Sequence, residues 1–373
     1  MSDVIRPLTM PKWGLSMKEG ALVQWLTTEG SEVSAGDEVA EVETEKILAA
    51  VEVRDSGVLR RQVAKPGEVL PVGALLAVVA DPAVSDGEIE SYITDFQANF
   101  VAEPEEEEAE DRGPQTVEVE GRRLRFLKHG SSGDPLVLIH GFGGGLNNWL
   151  FNLETLAGDH LVYALDLPGH GASSKDVGDG SLEGLAQVLK GFIEVTELGP
   201  SHLVGHSMGG AVALILALAH PELVSSVTLI GSAALGTEIN GAYIDGFIDS
   251  RRRKDTRVEI EKLFHDPAQV TRQMVNDVLA FKRIDGVKGA LKTLSEQFRV
   301  GDVQNTVLRE RLKELSMPLL VVWGQEDQIV PASHAEDLPQ GVRTEIISGA
   351  GHMVQMESAA RVNQVILEVA GQG

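Results

Sequence analysis

The chain has 373 residues, of which 43% are hydrophobic and 24% are charged, a balance typical of a globular protein with two domains. It contains no cysteine, which excludes disulfides, thiolate metal sites and a cysteine nucleophile, and which fits a reducing cytosol. Its formal net charge of -24 argues against nucleic acid or an anionic membrane as a partner.

Neither the start of the chain nor its most apolar run predicts export or membrane insertion. The first residues, MSDVIRPLTMPKW, lack the basic and apolar regions of a signal peptide. The run from Ala211 to Ala219 ends at His220 and Pro221 and is too short to span a membrane. We therefore expect a cytoplasmic protein with no membrane partner, and we predict no metal site.

Most of residues 1–80 consist of short alternating segments separated by glycine and proline, a pattern typical of small antiparallel β domains. The segment GSEVSAGDEVAEV resembles the later segment GEVLPVGALLAVV at an offset of 37 residues. In this alignment Gly30 matches Gly67, and Gly36 matches Gly73. Two similar β halves predict a flattened barrel with pseudo-two-fold symmetry.

A single lysine, Lys46, lies in the sequence EVETEKI, at the turn that leads out of the first half. An acid, a threonine or serine and another acid before a lysine resemble the lipoylation site of lipoyl domains, and the resemblance extends over the whole barrel. It implies that Lys46 carries a covalent lipoate. Biotinyl domains share this fold but usually flank their lysine with methionines, whereas Glu45 and Ile47 stand here. A plain surface lysine is the alternative.

Residues 81–116 differ in composition from what precedes and follows them. Seven of the nine residues between positions 103 and 111 are acidic, and charges of one sign at this density repel one another and bury no core. Just before them, four apolar residues at helical spacing predict one or two amphipathic turns: Ile89, Tyr92, Ile93 and Phe96. We predict an acidic linker with a short amphipathic helix.

Residues 117–373 begin with a predicted hairpin, after which apolar strand candidates alternate with helical patterns. This rhythm predicts a mostly parallel sheet with helices on both faces. The strand candidates are PLVLIH, HLVYALD, SHLVGH, SSVTLIG, PLLVVWG and RTEIIS. The rhythm is interrupted at about residues 233–316 by a polar, helix-rich stretch. We predict that this stretch is a cap over the carboxyl ends of the strands, where such sheets bind ligands.

The sequence GHSMG lies directly after a strand candidate and directly before an apolar helix, so a sharp turn is predicted to expose Ser207. Asp327 follows a later strand candidate, and His352 lies in the glycine-rich loop after the next one. The order Ser, Asp, His is that of α/β-hydrolases. We predict that His352 takes the proton of Ser207 and that Asp327 orients and stabilises its imidazole. Glu326 is an adjacent acid that a shift of one residue would select instead.

The loop HGFGGGLNNW matches the loop that supplies one donor of the oxyanion hole in α/β-hydrolases. The backbone N–H groups of Phe142 and Met208 are the two candidate donors. Three further histidines near these motifs are predicted to be structural: His140, His170 and His206. The motifs together resemble the α/β-hydrolase superfamily over residues 117–373.

A lipoyl domain joined to a catalytic domain resembles the acyltransferase components of 2-oxoacid dehydrogenase complexes. This chain departs from them, because it has neither their H-x-x-x-D-G motif nor a separate peripheral subunit-binding domain. The combination resembles instead the acyltransferase component of bacterial acetoin dehydrogenase systems. That resemblance implies acetyl transfer from lipoyl-Lys46 to coenzyme A, with thiamine-diphosphate-dependent acetoin-cleaving subunits and dihydrolipoamide dehydrogenase as partners. Whether the chain is a homo-oligomer stays open.

Two other functions need the same residues. If water replaces coenzyme A as the acceptor, the triad makes the chain a tethered thioesterase. If the hydrolase domain is inert, the chain is a lipoyl carrier and scaffold.

For coenzyme A itself, the run SRRRKDTR in the predicted cap offers ligands for phosphate groups, namely Arg251, Arg252, Arg253 and Lys254. A solvated basic helix face is the alternative for this run.

Overall fold

The structure, a computed structural model, places the chain in two compact units, Met1–Asp111 and Arg112–Gly373. It describes the following residues: 5–11, 13, 17–44, 48–53, 55–100 and 113–371. Lys46, the predicted lipoyl attachment site, lies outside the described residues. Every helix within the described ranges is too short or too polar to serve as a membrane span.

Eight short strands lie in the described part of the first unit and pair into two antiparallel sheets of four strands each. The strands are β1 Ile5–Thr9, β2 Glu19–Trp25, β3 Glu32–Val33, β4 Glu38–Glu43, β5 Leu48–Glu52, β6 Gly57–Gln62, β7 Val69–Pro71 and β8 Leu75–Ala80. The sheet orders are β1-β8-β6-β3 and β5-β4-β2-β7. Mainly aliphatic side chains from both sheets share one core. The predicted small, all-β flattened barrel is confirmed.

The internal repeat of this barrel is present in its hydrogen bonding. The amide of Gly30 donates to the carbonyl of Leu59, and the amide of Gly67 donates to the carbonyl of Leu22, both over 2.7 Å. Each donor and acceptor has its counterpart at the same offset of 37 residues. The two glycines have φ angles of 85° and 86°, a region that glycine enters without steric cost. Each half is therefore closed by the equivalent residue of the other half.

A helix, α1 Asp86–Asn99, follows the barrel and is longer than the one or two turns that the sequence predicts. Ser85 caps it, because its side chain accepts the amide of Glu88 while the Glu88 carboxylate accepts the amide of Ser85. Its buried Ile89 and Ile93 pack on the apolar side chains of β8. The helix lies within the segment predicted as a linker, but burial of its apolar face attaches it to the barrel.

Ten strands lie in the second unit. They are β9 Gln115–Val119, β10 Arg122–His129, β11 Pro135–Ile139, β12 Leu161–Leu165, β13 Ser201–His206, β14 Val224–Ile230, β15 Arg299–Val300, β16 Val303–Gln304, β17 Leu319–Gly324 and β18 Arg343–Ile347. Eight of them form one sheet in the order β18-β17-β14-β13-β11-β12-β10-β9. All its pairs are parallel except the two made by β10. This mixed sheet confirms the predicted α/β-hydrolase architecture.

Nine α-helices accompany these strands in the described part of the second unit. They are α2 Leu153–Leu156, α3 Leu182–Val195, α4 Met208–Ala219, α5 Gly241–Asp249, α6 Arg253–Glu261, α7 Arg272–Lys282, α8 Val287–Phe298, α9 Val354–Glu357 and α10 Ala359–Ala370. Short 3₁₀ helices cover Leu146–Trp149, Pro221–Leu223, Pro267–Gln269, Arg309–Glu314 and Ala332–Ala335. Helix α4 contacts β13 and β14 and is buried on nearly every side, which explains its unbroken apolar sequence.

The segment between β14 and β17 forms the cap. It contains α5 to α8 and the small β15–β16 hairpin, and it interrupts the alternation of sheet strands and helices at the place where the sequence loses its rhythm. Its helices pack on one another: α6 contacts both α5 and α7, while α8 contacts α5 and α7. The cap therefore has an apolar interior of its own, which includes the buried Phe264, Val275 and Leu279.

Candidate active site

Ser207 lies at the turn between β13 and α4 in a backbone conformation that is rare for a residue with a side chain. Its φ and ψ angles are 54° and -119°. The amide of Ser207 donates to the carbonyl of Ile230 over 2.9 Å, and its carbonyl accepts the amide of Ala233 over 3.0 Å. These bonds to the end of β14 and the residues after it hold the turn in place. Such a turn presents a serine hydroxyl above the edge of the sheet.

Two glycines allow this turn to form so close to the neighbouring strands. A Cβ atom on Gly209 would overlap the carbonyl oxygens of Ile139 and His140 at the end of β11. A Cβ atom on Gly205 would overlap the carbonyl oxygen of Gly209 itself. Helix α4 therefore begins directly against β11, and only glycine leaves the required space at these two positions.

Asp327 and His352 lie in contact although 25 residues separate them in the sequence. The Nδ1 atom of His352 lies 2.7 Å from Oδ2 of Asp327, and both side chains are buried. The other carboxylate oxygen, Oδ1, accepts the amides of Ile329 and Val330 over 2.8 and 3.0 Å. These bonds orient the carboxylate, which receives the Nδ1 proton of His352 and leaves Nε2 as the nitrogen available for a nucleophile.

The loops that carry Ser207 and His352 meet at the carboxyl ends of the strands. His206, directly before Ser207, donates from Nε2 to the carbonyl oxygen of His352 over 2.9 Å. Burial lowers the pKa of His206 well below its usual value, so this ring is neutral and structural. Gly231, directly after the residue that accepts the Ser207 amide, lies against the facing side chains of His352 and Asp327. The three predicted triad residues are thus brought to one place.

The loop after β11 presses against Ser207 and is held by two histidines. A Cβ atom on Gly141 would lie 2.8 Å from Cβ of Ser207. His140 accepts the amide of Leu167 at Nε2 over 3.0 Å, and His170 accepts the amide of Gly143 in the same way over 3.0 Å. Burial lowers the pKa of both imidazole rings, and it lowers the pKa of His170 well below the usual value. Both rings are therefore neutral, and their Nε2 atoms accept these hydrogen bonds.

Two backbone amides in the segments that flank the Ser207 turn have no partner among the described residues. Within the described part of the chain, the amides of Phe142 and Met208 make no hydrogen bond. Met208 is the first residue of α4, where an amide has no partner inside the helix and where the helix dipole favours negative charge. Both residues are buried, so their amides are shielded from bulk water and available to an oxyanion.

Two carboxylates that the sequence analysis did not assign to the site hold the His352 loop. Oε2 of Glu326 accepts the amides of Gly349 and Ala350 over 2.9 and 3.2 Å. Glu357 accepts the amide of Gly351 over 2.7 Å, and burial raises the pKa of its carboxyl group. Glu326 is therefore a support for the loop, whereas the adjacent Asp327 contacts the imidazole. No local pattern distinguishes such acids from surface acids.

The cap contacts both the loop after β11, which contains Phe142 and is here called the oxyanion loop, and the loop that contains His352. The rings of Phe247 on α5 and Phe298 on α8 lie 6.2 and 5.6 Å from the ring of Phe142, edge to face. The carbonyl of Leu263 accepts the amide of Met353, directly after His352, over 3.0 Å. The cap therefore packs against loops on both sides of Ser207, which is itself only 8% exposed.

The basic run of the cap is divided between two environments. Arg251 lines a cavity of about 360 Å³, whereas Arg252, Arg253 and Lys254 lie outside its lining at the start of α6, and all four side chains are exposed. Three further cations line the same cavity from the end of α7 and the start of α8: Lys282, Arg283 and Lys288. The sequence analysis missed these three because they do not form a run with Arg251.

The predicted lipoyl site lies between two paired strands of the barrel. Strand β4 ends at Glu43 and β5 begins at Leu48, and these two residues are partners in the antiparallel register. The connection between them contains Lys46, which lies outside the described residues. Among the residues that the structure describes, no group of acids and histidines is placed to hold a metal.

Comparison with known proteins identifies both halves. Residues 134–359 match the family described as alpha/beta hydrolase fold, and residues 6–79 match the family described as biotin-requiring enzyme. The dihydrolipoyllysine-residue acetyltransferase component of the acetoin cleaving system from Pseudomonas putida is 50% identical over 364 residues, which are 97% of this chain and 98% of that protein. Its namesake from Cupriavidus necator is 43% identical over 371 residues, 100% of this chain and 99% of that protein.

A solved structure supports the fold of the second unit alone. It is a meta-cleavage product hydrolase from Pseudomonas fluorescens, which is 22% identical and has a TM-score of 0.63. The match covers 70% of this chain and 98% of the hydrolase chain.

The close approach at Gly209 predicts a matched pair of variants. Gly209→Ala should lower the free energy of unfolding by about 3 kcal/mol and abolish esterase activity, because backbone oxygens cannot move aside. Gly289→Ala, in α8 with nothing within 4 Å of the added methyl group, should be neutral or stabilising by up to about 1 kcal/mol. Thermal unfolding and p-nitrophenyl acetate hydrolysis measure both. An unchanged melting temperature for Gly209→Ala would contradict the contact.

The different contacts of the adjacent Glu326 and Asp327 predict a second matched pair of variants. Asp327→Asn should lower kcat for p-nitrophenyl acetate by about 10⁴-fold, because the imidazole loses the acceptor that orients it. Glu326→Gln keeps a side-chain oxygen for the two loop amides and should cost less than about tenfold. Circular dichroism controls for folding. Equal losses in the two variants would overturn the assignment of Asp327 as the residue that supports His352.

Proposed function

Since the chain belongs to the family of dihydrolipoyllysine-residue acetyltransferase components of acetoin cleaving systems, we propose that Ser207 transfers an acetyl group from lipoyl-Lys46 to coenzyme A. The observation that supports this chemistry most is the 2.7 Å contact between His352 and Asp327 beside the strained turn of Ser207. Packing alone does not require a serine, a histidine and an aspartate together at one end of a sheet.

In the first half of the reaction, the arm on Lys46 supplies the acetyl group as a thioester. The Oγ atom of Ser207 attacks the carbonyl carbon while Nε2 of His352 takes the hydroxyl proton. The amides of Phe142 and Met208 stabilise the oxyanion, and Asp327 stabilises the imidazolium. His352 then returns the proton to the departing sulfur, the carbon–sulfur bond breaks, and the acetyl group is held as an ester on Ser207.

In the second half, the same groups act in reverse order. His352 takes the proton of the coenzyme A thiol, and the sulfur attacks the acetyl carbonyl on Ser207. The oxyanion again forms at the amides of Phe142 and Met208. The carbon–oxygen bond breaks, Oγ recovers its proton from His352, and acetyl-coenzyme A leaves. No redox change occurs at the hydrolase domain.

Competition from water decides between a transferase and a hydrolase. Water at about 55 M exceeds a millimolar thiol by about 10⁴- to 10⁵-fold, which corresponds to roughly 6–7 kcal/mol of discrimination. The nucleophilicity of sulfur supplies part of this difference. Exclusion of bulk water supplies more, since Ser207 and His352 are 8% and 3% exposed under the cap.

We infer the partners from the same family. Membership of an acetoin cleaving system implies partner subunits. In this proposal thiamine-diphosphate-dependent acetoin-cleaving subunits place the acetyl group on the lipoyl arm, and dihydrolipoamide dehydrogenase reoxidises the arm. Tethering favours the transfer, because a flexible linker gives effective concentrations in the millimolar range. We place this chemistry in the cytoplasm, in keeping with the absence of cysteine from the sequence.

Product analysis tests the proposal. Lipoylated protein whose reduced arm has been acetylated should convert added coenzyme A mainly to acetyl-coenzyme A, with little free acetate. Ser207→Ala should slow this conversion by at least about 10⁴-fold and leave lipoylation of Lys46 intact, as intact mass measures.

Three other results would contradict the proposal. Acetate as the main product would make the chain a tethered thioesterase, and no turnover to either product would make it a carrier with an inert hydrolase domain. Retained transfer in Ser207→Ala would remove the triad from the mechanism. Lys46→Arg, which cannot be lipoylated, controls for transfer that does not pass through the arm.

A further inference from the structure

The cavity in the cap is positively charged although the chain as a whole carries a net charge of -24. Its volume is about 360 Å³. Four cationic side chains surround it, namely Arg251, Lys282, Arg283 and Lys288. Four aliphatic side chains complete the lining together with Ser250, namely Ile248, Leu279, Val287 and Leu291. A site of this composition suits a ligand with several negative charges and one flat apolar group.

The charge of Lys282 is held at one position. Its ammonium group donates to the carbonyls of Phe247 and Ser250 and to the hydroxyl of Ser250. Burial lowers the pKa of Lys282 to about 8, so the group is still mostly protonated at neutral pH. With all three of its protons bonded to protein oxygens, Lys282 supplies a fixed positive potential rather than a mobile ligand.

The two arginines of the cavity are available to a ligand. Among the residues that the structure describes, the side chains of Arg251 and Arg283 have no hydrogen bond or ion pair. Lys288 pairs with Asp249 over 2.7 Å, but the side chains are 48% and 72% exposed, and such exposed pairs are weak. Guanidinium groups bind phosphate oxygens through two parallel hydrogen bonds, which makes the arginines the better phosphate ligands.

The side chain of Phe247 contacts both a lining residue of this cavity and the loop after β11. The ammonium group of Lys282 lies 5.2 Å from the centre of the Phe247 ring. That ring in turn packs against Gly143 and lies 6.2 Å from the ring of Phe142. The cavity is therefore linked through Phe247 on α5 to the loop that contains Phe142 and Gly143.

We propose that this cavity binds the phosphorylated nucleotide end of the coenzyme A acceptor, with Arg251 and Arg283 on its phosphates and the aliphatic side chains against its adenine ring. The inference rests on the proposed function and refines it. Of the basic run from Arg251 to Lys254, only Arg251 lines the cavity, and the remaining ligands come from helices α7 and α8. Binding energy gained at this distance from the thiol favours coenzyme A over water as the acceptor.

Direct binding tests the site without turnover. Adenosine 3′,5′-bisphosphate is titrated by calorimetry into the full chain carrying Ser207→Ala, and binding is expected. Adding Arg251→Ala and Arg283→Ala should weaken it by at least about tenfold, because charge-assisted hydrogen bonds to phosphate are lost. Arg272→Ala removes an exposed arginine at the other end of α7, outside the cavity, and should leave binding unchanged. Absent binding, or equal binding in the double arginine variant, overturns the proposal.

Acceptor kinetics separates this inference from the proposed function. Coenzyme A and pantetheine carry the same thiol, but pantetheine lacks the phosphates and the nucleotide. In the chain with Ser207 intact, Arg251→Ala with Arg283→Ala should raise KM for coenzyme A at least tenfold and leave kcat/KM for pantetheine unchanged. An unchanged KM for coenzyme A overturns the inference while the transferase function stands. If neither thiol accepts the acetyl group and acetate forms instead, the proposed transferase function is wrong. The calorimetric result alone then decides whether the cavity binds the nucleotide.

Discussion

The strained backbone at Ser207 is the constraint on which the second unit depends. A residue with a side chain keeps φ and ψ of 54° and -119° only when its surroundings enforce them. Here the end of β14 does so through Ile230 and Ala233, while Gly209 lets α4 lie against β11. The same end of β14 continues into Gly231, which touches His352 and Asp327. One crowded junction therefore brings together Ser207, His352 and Asp327, the candidate catalytic residues.

The cap is bonded to the loops that carry the candidate catalytic groups. Glu357 accepts one amide from the His352 loop and one from His265 in the cap, each over 2.7 Å, so a single half-buried carboxylate joins the two segments. Phe247 contacts the oxyanion loop on one side and Lys282 on the other. A displacement of the cap would therefore change the positions of the His352 loop, the oxyanion loop and Lys282 together.

The two units differ in architecture. The barrel is symmetric, because each half is closed by the equivalent residue of the other, and the proposed lipoyl site, Lys46, falls in the sequence between β4 and β5. The hydrolase unit holds the catalytic groups on loops at the ends of buried strands, where their positions are set by the sheet. The sequence between the units is strongly acidic, since seven of the nine residues from positions 103 to 111 are aspartate or glutamate.

The sequence by itself determined the barrel repeat, the strands of the sheet and the order Ser207, Asp327, His352, because these depend on local periodicity and on glycines at sharp turns. Only the tertiary structure decided the length of α1, since its apolar face needs β8 to pack on. The same is true of Glu357, whose second amide comes from a residue 92 positions away, and of a cavity whose cations lie on separate helices. These side chains depend on neighbours that are distant in the sequence and become close only in the folded chain. Local sequence patterns do not record that proximity.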